Sequence, residues 1–363
     1  MYNRTVLPNG IRIVTEEIPY VRSCSIGLWI KAGSRDETRE NNGISHFIEH
    51  LLFKGTKNRT ARQIAEDMDR IGGQLNAFTS KEHTCYYAKV LDEHMEYAFE
   101  ILADMYLNSL FDPEEIEKEK SVIVEEIKMY EDSPDELVHD VYSQAVFGGH
   151  PLGFPTLGTV DTVRGTQRDD ILRYIGSLYT PDNLVVAAAG NLKHDKIVSV
   201  ANGLFGGLQG KAQRGESTAP MVSRGTVIKS KDTEQVHLCV GTRGYERAHP
   251  KRFSLYVLDA ILGGGMSSRL FQRLREERGL VYSTYSYHAS YEDVGLFVVY
   301  AGTSPQNIGV TLDLILDELS KIIAGEVSEE EVARGREQLK GGLVLGLEST
   351  SSRMSRIGKL ELF

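Results

Sequence analysis

Cysteine is scarce in this chain. Cys24, Cys85 and Cys239 are the only three, they lie far apart, and none stands in a CxxC pair. That excludes a disulfide framework and a thiolate zinc site, and it suits a reducing compartment in which the three serve as small core residues. Long apolar runs are also missing. No stretch approaches the roughly 20 residues that a membrane-spanning helix needs. The opening "MYNRTVLPNGIRIVTEE" enters a strand and a turn without the apolar core of a signal peptide, so a soluble, cytoplasmic protein is expected, with no membrane partner. Positive charge is the third shortage. Lys and Arg number 41 against 51 Asp and Glu, a net charge of -10 with a pI near 5.6, which argues against nucleic acid as a partner and favours a cationic one. What the chain does have is 363 residues, 41% of them hydrophobic, enough for about two domains with cores of their own.

An internal repeat sets the architecture. At an offset of about 213 positions, "YYAKVLDEHMEYAFEILADM" from Tyr86 lies against "VYAGTSPQNIGVTLDLILDE" from Val299. Apolar positions then coincide at Met95 and Ile308, Phe99 and Leu312, and Leu102 and Ile315. Each copy reads as strand, turn and amphipathic helix. At nearly the same offset "CSIGLWIKAG" meets "VHLCVGTRG", and "HFIEHLLFKG" meets "VLDAILGGG". Two tandem, homologous domains are therefore expected: 1–204, a polar and Gly-rich linker over 205–225, and 226–363. The end, "STSSRMSRIGKLELF", stops inside an apparent helix, and the same offset would carry the second domain past Phe363, so that domain is expected to be cut short. In the first half strands are predicted over 11–15, 25–32, 74–90 and 183–191, and helices over 46–53 and 60–71 and from Asp92 and Asp112 onward. Thr60 is a plausible cap, and Gly72 with Gly73 a stop. Short strands mixed with long helices, without regular alternation, predict an α+β fold: a mainly antiparallel sheet in each domain with helices on one face.

"HFIEHLLFKGT", from His46, places two histidines and a glutamate in a helix that is otherwise apolar nearly all round. At 100° per residue His46, Glu49 and His50 fall within an arc of about 100°. Unpaired polar groups there would each cost about 1–3 kcal/mol, so they need partners. Two imidazoles one turn apart can share a zinc ion, and the glutamate beside the second can act on a water completing its shell. This is the H-x-x-E-H order. A third ligand is sought in the helix that Asp112 caps, "PEEIEKEKSVIVEEIKMYE". Its apolar stripe is Ile116, Ile123, Ile127 and Tyr130. Glu119 and Glu126, two turns apart, fall beside that stripe, while Glu117, Glu125 and Glu131 are expected in solvent. A carboxylate turned toward a core is tolerated when paired or bound to metal. Glu126 can supply the third ligand, and Glu119 can hydrogen-bond a ligand or the substrate.

With these residues in place the sequence resembles the pitrilysin and mitochondrial-processing-peptidase family of zinc metallopeptidases, in its bacterial processing-protease-like branch, over essentially its whole length. "HFIEHLLFKGT" resembles the family's zinc helix, and "EKSVIVEEIKMYEDSPDE" its downstream segment, with the ligand at Glu126 and a functionally required glutamate at Glu119. "YTPDNLVVAAAGN" and "GGGMSSRLFQRLREERGLVYS" are similar to further segments. The resemblance implies a zinc endopeptidase for unfolded or presequence-like peptides, with His46, His50 and Glu126 as ligands and Glu49 as base. It implies substrate contacts at Arg275 and Tyr282, and along "QLNAFTSKEH" at Asn76, Ala77 and Phe78, where backbone pairing would bind extended peptides. It also implies two homologous domains per chain and a homodimer enclosing a chamber. The second half has "VLDAILGGG" where the zinc helix stood, so one zinc per chain is expected.

Two rivals stay open. Two histidines and a carboxylate also form the facial triad of non-haem iron oxygenases, although those sites need no adjacent glutamate base. The other is a catalytically inactive scaffold subunit of a processing-peptidase-like complex, a role that eroded zinc motifs would mark.

Overall fold

A computed structural model describes residues 2–215 and 218–363. In chain order the strands are β1 (Tyr2–Val6), β2 (Arg12–Glu17), β3 (Ser23–Ile30), β4 (Gln74–Thr79), β5 (Thr84–Leu91), β6 (Leu184–Gly190), β7 (Val236–Gly244), β8 (Val281–Ser290) and β9 (Gly295–Thr303). The α-helices are α1 (Ile44–Leu52), α2 (Ala61–Arg70), α3 (Met95–Asn108), α4 (Pro113–Glu131), α5 (Pro134–Phe147), α6 (Val160–Gly165), α7 (Arg168–Leu178), α8 (His194–Phe205), α9 (Arg252–Leu262), α10 (Ile308–Ile323), α11 (Glu329–Gly346) and α12 (Thr350–Leu362).

These elements pack into two compact units, each assembled from separated segments. One comprises Met1–Lys128, Phe154–Ser217 and Gly346–Phe363, the other Met129–Gly153 and Thr218–Leu345. The expected domain limits, 1–204 and 226–363, do not coincide with them. α5, from the first half of the sequence, belongs to the second unit, and α12, from the second half, belongs to the first. The offset that relates the halves relates these two helices as well, so the departure is reciprocal. In the expected linker, residues 207–215 and 218–225 carry no helix or strand, and Glu216 and Ser217 lie outside the described residues.

The first unit holds a six-stranded sheet in the order β1-β2-β6-β3-β5-β4, antiparallel except where β2 meets β6. Alternation along the strands divides its side chains between two faces. Ile26, Leu28, Ile30, Ala88, Val186 and Ala188 point toward a core shared with α1, α3, α4 and α8. Trp29, Cys85, Val185, Ala187 and Ala189 point the other way, where Met354, Ile357 and Leu362 of α12 cover them. Helices therefore lie on both faces rather than on one. Every residue of β6 is buried, and its sequence, LVVAAAG, is the unbroken apolar run that a doubly covered strand requires.

The second unit repeats the plan with the three-stranded sheet β7-β9-β8, matching the β3-β5-β4 part of the first. Phe297, Val299 and Ala301 of β9 pack with α9 and α10. Leu296 and Val298 face Val146 and Phe147 of α5.

Two local features position the site. Thr60 accepts a bond from the Gln63 amide and caps α2, as its sequence predicted. β4, which follows α2, lies at the edge of its sheet and exposes alternate residues.

Candidate metal centre

α1 starts at Gly43, whose φ of +94° is left-handed, and a Cβ there would stand 2.7 Å from the Leu157 carbonyl oxygen. Only glycine fits that entry. The carboxylate of Glu37, 3% exposed, closes over the helix start. Its Oε2 accepts from the Gly43 amide and from Asn42 Nδ2, both at 2.8 Å, and its Oε1 accepts from the Ser45 amide at 2.9 Å. A negative group there satisfies orphan amides and complements the helix dipole. Phe47, Ile48, Leu51 and Leu52 are buried around the rest of α1, which fixes the face that carries His46, Glu49 and His50.

α4 brings Glu126 to that face. Its Oε2 lies 3.7 Å from Nε2 of His46 and 3.5 Å from Nε2 of His50, and one donor atom from each of the three residues falls within 4.8 Å of the others. Ligands bound at about 2.0–2.1 Å around a tetrahedral ion stand roughly 3.3 Å apart, so two imidazole nitrogens and a carboxylate oxygen at these separations fit zinc. Burial, reinforced by the neighbouring His50, lowers the pKa of His46 to about 3, so this imidazole is neutral and carries the lone pair that a metal ligand needs. Among the described residues no other set of three or more such side chains converges in this way. On α4, Glu117 and Glu125 are exposed as expected, and Ile116, Ile123 and Ile127 are buried.

Glu119, 2% exposed, lies one layer out. Its Oε2 accepts from Nδ1 of His50 at 3.0 Å, and its Oε1 stands 2.5 Å from Nζ of Lys54. Burial pushes its carboxyl up, but the bonds from His50 and Lys54 outweigh that and hold it below the ordinary glutamate value. His46 differs, because its Nδ1 is buried with no hydrogen-bond partner among the described residues. Glu49 is raised by burial, and a 2.6 Å bond from the Thr79 hydroxyl acts against that rise.

Thr79 is the last residue of β4, which ties the edge strand to Glu49. Upstream on that strand Asn76 and Phe78 are exposed and Ala77 is half-buried. Arg275 and Tyr282 belong to the second unit. The Arg275 guanidinium lies 5.1 Å from the Tyr282 ring centroid, and Tyr282 is 75% exposed. Sequence reasoning missed Glu37, Lys54 and Thr79. The first had a weak signal, an acidic residue shortly before a helix start, and the other two had none, since their partners come from distant elements.

Residues 12–160 match the family described as Insulinase (Peptidase family M16), and residues 166–339 match the Peptidase M16 inactive domain. The chain belongs to peptidase family M16. A Bacillus subtilis relative named as an uncharacterized zinc protease is 49% identical over 362 residues, spanning 100% of this chain and 88% of the relative. A Streptomyces coelicolor relative of the same description is 46% identical over 369 residues, spanning 99% of this chain and 80% of the relative. In fold, this M16 chain is similar to a protease from Helicobacter pylori, with a TM-score of 0.93 at 24% identity over 100% of this chain and 89% of that one. M16 membership accounts for both halves of the repeat, with the three convergent donors in the half that matches the first description.

Proposed function

We propose that this chain is a zinc-dependent endopeptidase that hydrolyses unfolded or presequence-like peptides. The observation that carries the reading is the convergence of His46, His50 and Glu126, with Glu49 one residue before the second histidine. Those three would hold one zinc per chain, and the ion, when bound, would polarise a water and the scissile carbonyl. Glu49 takes the proton of the attacking water and delivers it to the nitrogen of the leaving amine. Glu119 holds His50 in the tautomer that presents Nε2. The edge of β4 at Asn76, Ala77 and Phe78 pairs with an extended substrate backbone and asks little of its side chains. Arg275 and Tyr282 contribute to substrate binding. The working form is a homodimer in the cytoplasm.

A scaffold role is not favoured, because all three ligands and the base are present. An iron oxygenase would leave Glu49 and its Thr79 bond without a task. The decisive experiment is digestion of a peptide library by the wild type, with and without chelator, beside Glu49→Gln. The variant should retain one zinc and lose cleavage, and turnover equal to the wild type would remove Glu49 from the chemistry.

A further inference from the structure

Lys54 follows the last turn of α1, and its amide donates to the Leu51 carbonyl at 3.0 Å. The loop that continues from it is pinned to α3 through one buried carboxylate. Asp104 accepts from Thr56 Oγ1 at 2.7 Å, from Asn58 Nδ2 at 2.5 Å and from Arg59 Nη1 at 2.8 Å. Gly55, at φ +116°, makes the turn between Lys54 and that anchor. The Lys54 backbone is thus fixed on both sides, and its side chain, 32% exposed, reaches inward to Glu119.

The two oxygens of Glu119 are divided, Oε1 to Lys54 and Oε2 to His50. A carboxylate can only accept, so Nδ1 of His50 carries a proton, and Nε2, 3.5 Å from Oε2 of Glu126, is the nitrogen left to face the metal position. A buried carboxylate with only an imidazole beside it would be poorly compensated, and it would be free to turn either oxygen to that ring. The ammonium of Lys54 compensates the charge and holds Oε1, which leaves Oε2 to the ring.

Resting on the zinc reading above, we infer that Lys54 is a positioning residue for the metal site, acting through Glu119 to fix the orientation and tautomer of His50. It touches neither metal nor substrate, so its effect appears first in metal affinity. Removing an outer partner of a metal-binding histidine weakens affinity by about 10- to 100-fold.

The test measures zinc affinity by competition with a chromophoric chelator, and the ligand-field spectrum of the cobalt form, for wild type, Lys54→Met, Lys54→Gln and Lys54→Arg. Circular dichroism of the metal-free proteins checks folding, and Lys54→Gln replaces Lys54→Met should the latter not fold. The neutral variants should bind zinc about tenfold more weakly or worse and shift the cobalt spectrum. Lys54→Arg, which keeps the charge, should recover most of the affinity. Neutral variants within twofold of wild type would overturn the inference, and so would an arginine variant as weak as the neutral ones. Wild-type protein that takes up no zinc would instead overturn the metal reading, and that result is visible before any variant is compared.

Discussion

The Thr79 hydroxyl donates to Oε2 of Glu49 at 2.6 Å, joining the end of the edge strand to the residue assigned as base. Burial raises the Glu49 carboxyl, and this bond is the largest of the influences pulling it back. Thr79→Val removes the donor and keeps the shape, so the carboxyl should rise further. The acid limb of the kcat/KM profile should move to higher pH, so that the rate at any pH on that limb falls while the plateau at higher pH is kept. Zinc content should not change. A profile that superimposes on the wild type would show that the bond does not tune Glu49.

His46 makes the metal-free protein acid-sensitive. Its pKa in the fold is about 3 against an ordinary 6.5, so between those values the unfolded chain binds a proton that the folded chain refuses. Stability therefore rises with pH across this window and is lost on acidification, by at most roughly 1.4 kcal/mol per pH unit from this group. His46→Leu should flatten that part of the curve in zinc-free protein. Tm measured from pH 7 down to pH 4 on both proteins gives the comparison, and parallel curves would assign the acid loss to other groups.

The reach of sequence reasoning is clearest on α1 and α4. Helical geometry alone puts His46, Glu49 and His50 on one face, and Glu119 and Glu126 beside one apolar stripe, so five side chains of the candidate site were readable from spacing. Lys54 and Thr79 were not, because a lysine after a helix and a threonine ending a strand look alike wherever they occur. Their partners arise only when α4 and β4 pack against α1. The repeat likewise paired β3 with β7 and α3 with α10, but an amphipathic pattern records that a helix has an apolar face and not which sheet receives it, so the exchange of α5 and α12 between the units went unread. The same limit applies to His139 of α5. Its two ring nitrogens lie 2.9 Å from the hydroxyls of Tyr285 and Tyr287.

α12 should be essential to the first unit's sheet, and Gly358 is where that can be tested. A Cβ on Gly358 would stand 2.4 Å from Nε1 of Trp29. Trp29 is 1% exposed and cannot retreat without disturbing Met354, whose sulfur accepts from the same Nε1 at 3.3 Å. Gly358→Ala should cost about 1–3 kcal/mol by overpacking. Trp29 is the only tryptophan, so its emission reports this contact directly during denaturant unfolding. An unchanged midpoint would mean that α12 shifts without penalty.

Charge should govern which peptides are cleaved fastest. The chain carries a net charge of -10, and a field of that sign raises the encounter rate of cationic peptides and lowers that of anionic ones. The pairing proposed at β4 is made through the backbone and is indifferent to side-chain charge, so the preference should appear in kcat/KM and hardly in kcat. For two peptides of equal length and the same scissile bond, one flanked by lysines and one by glutamates, the basic peptide should lead several-fold at low salt. The gap should narrow as ionic strength rises and the Debye length falls to about 8 Å near 0.15 M. Equal rates at every salt concentration would place specificity in local side-chain contacts instead, with Arg275 and Tyr282 the first residues to vary.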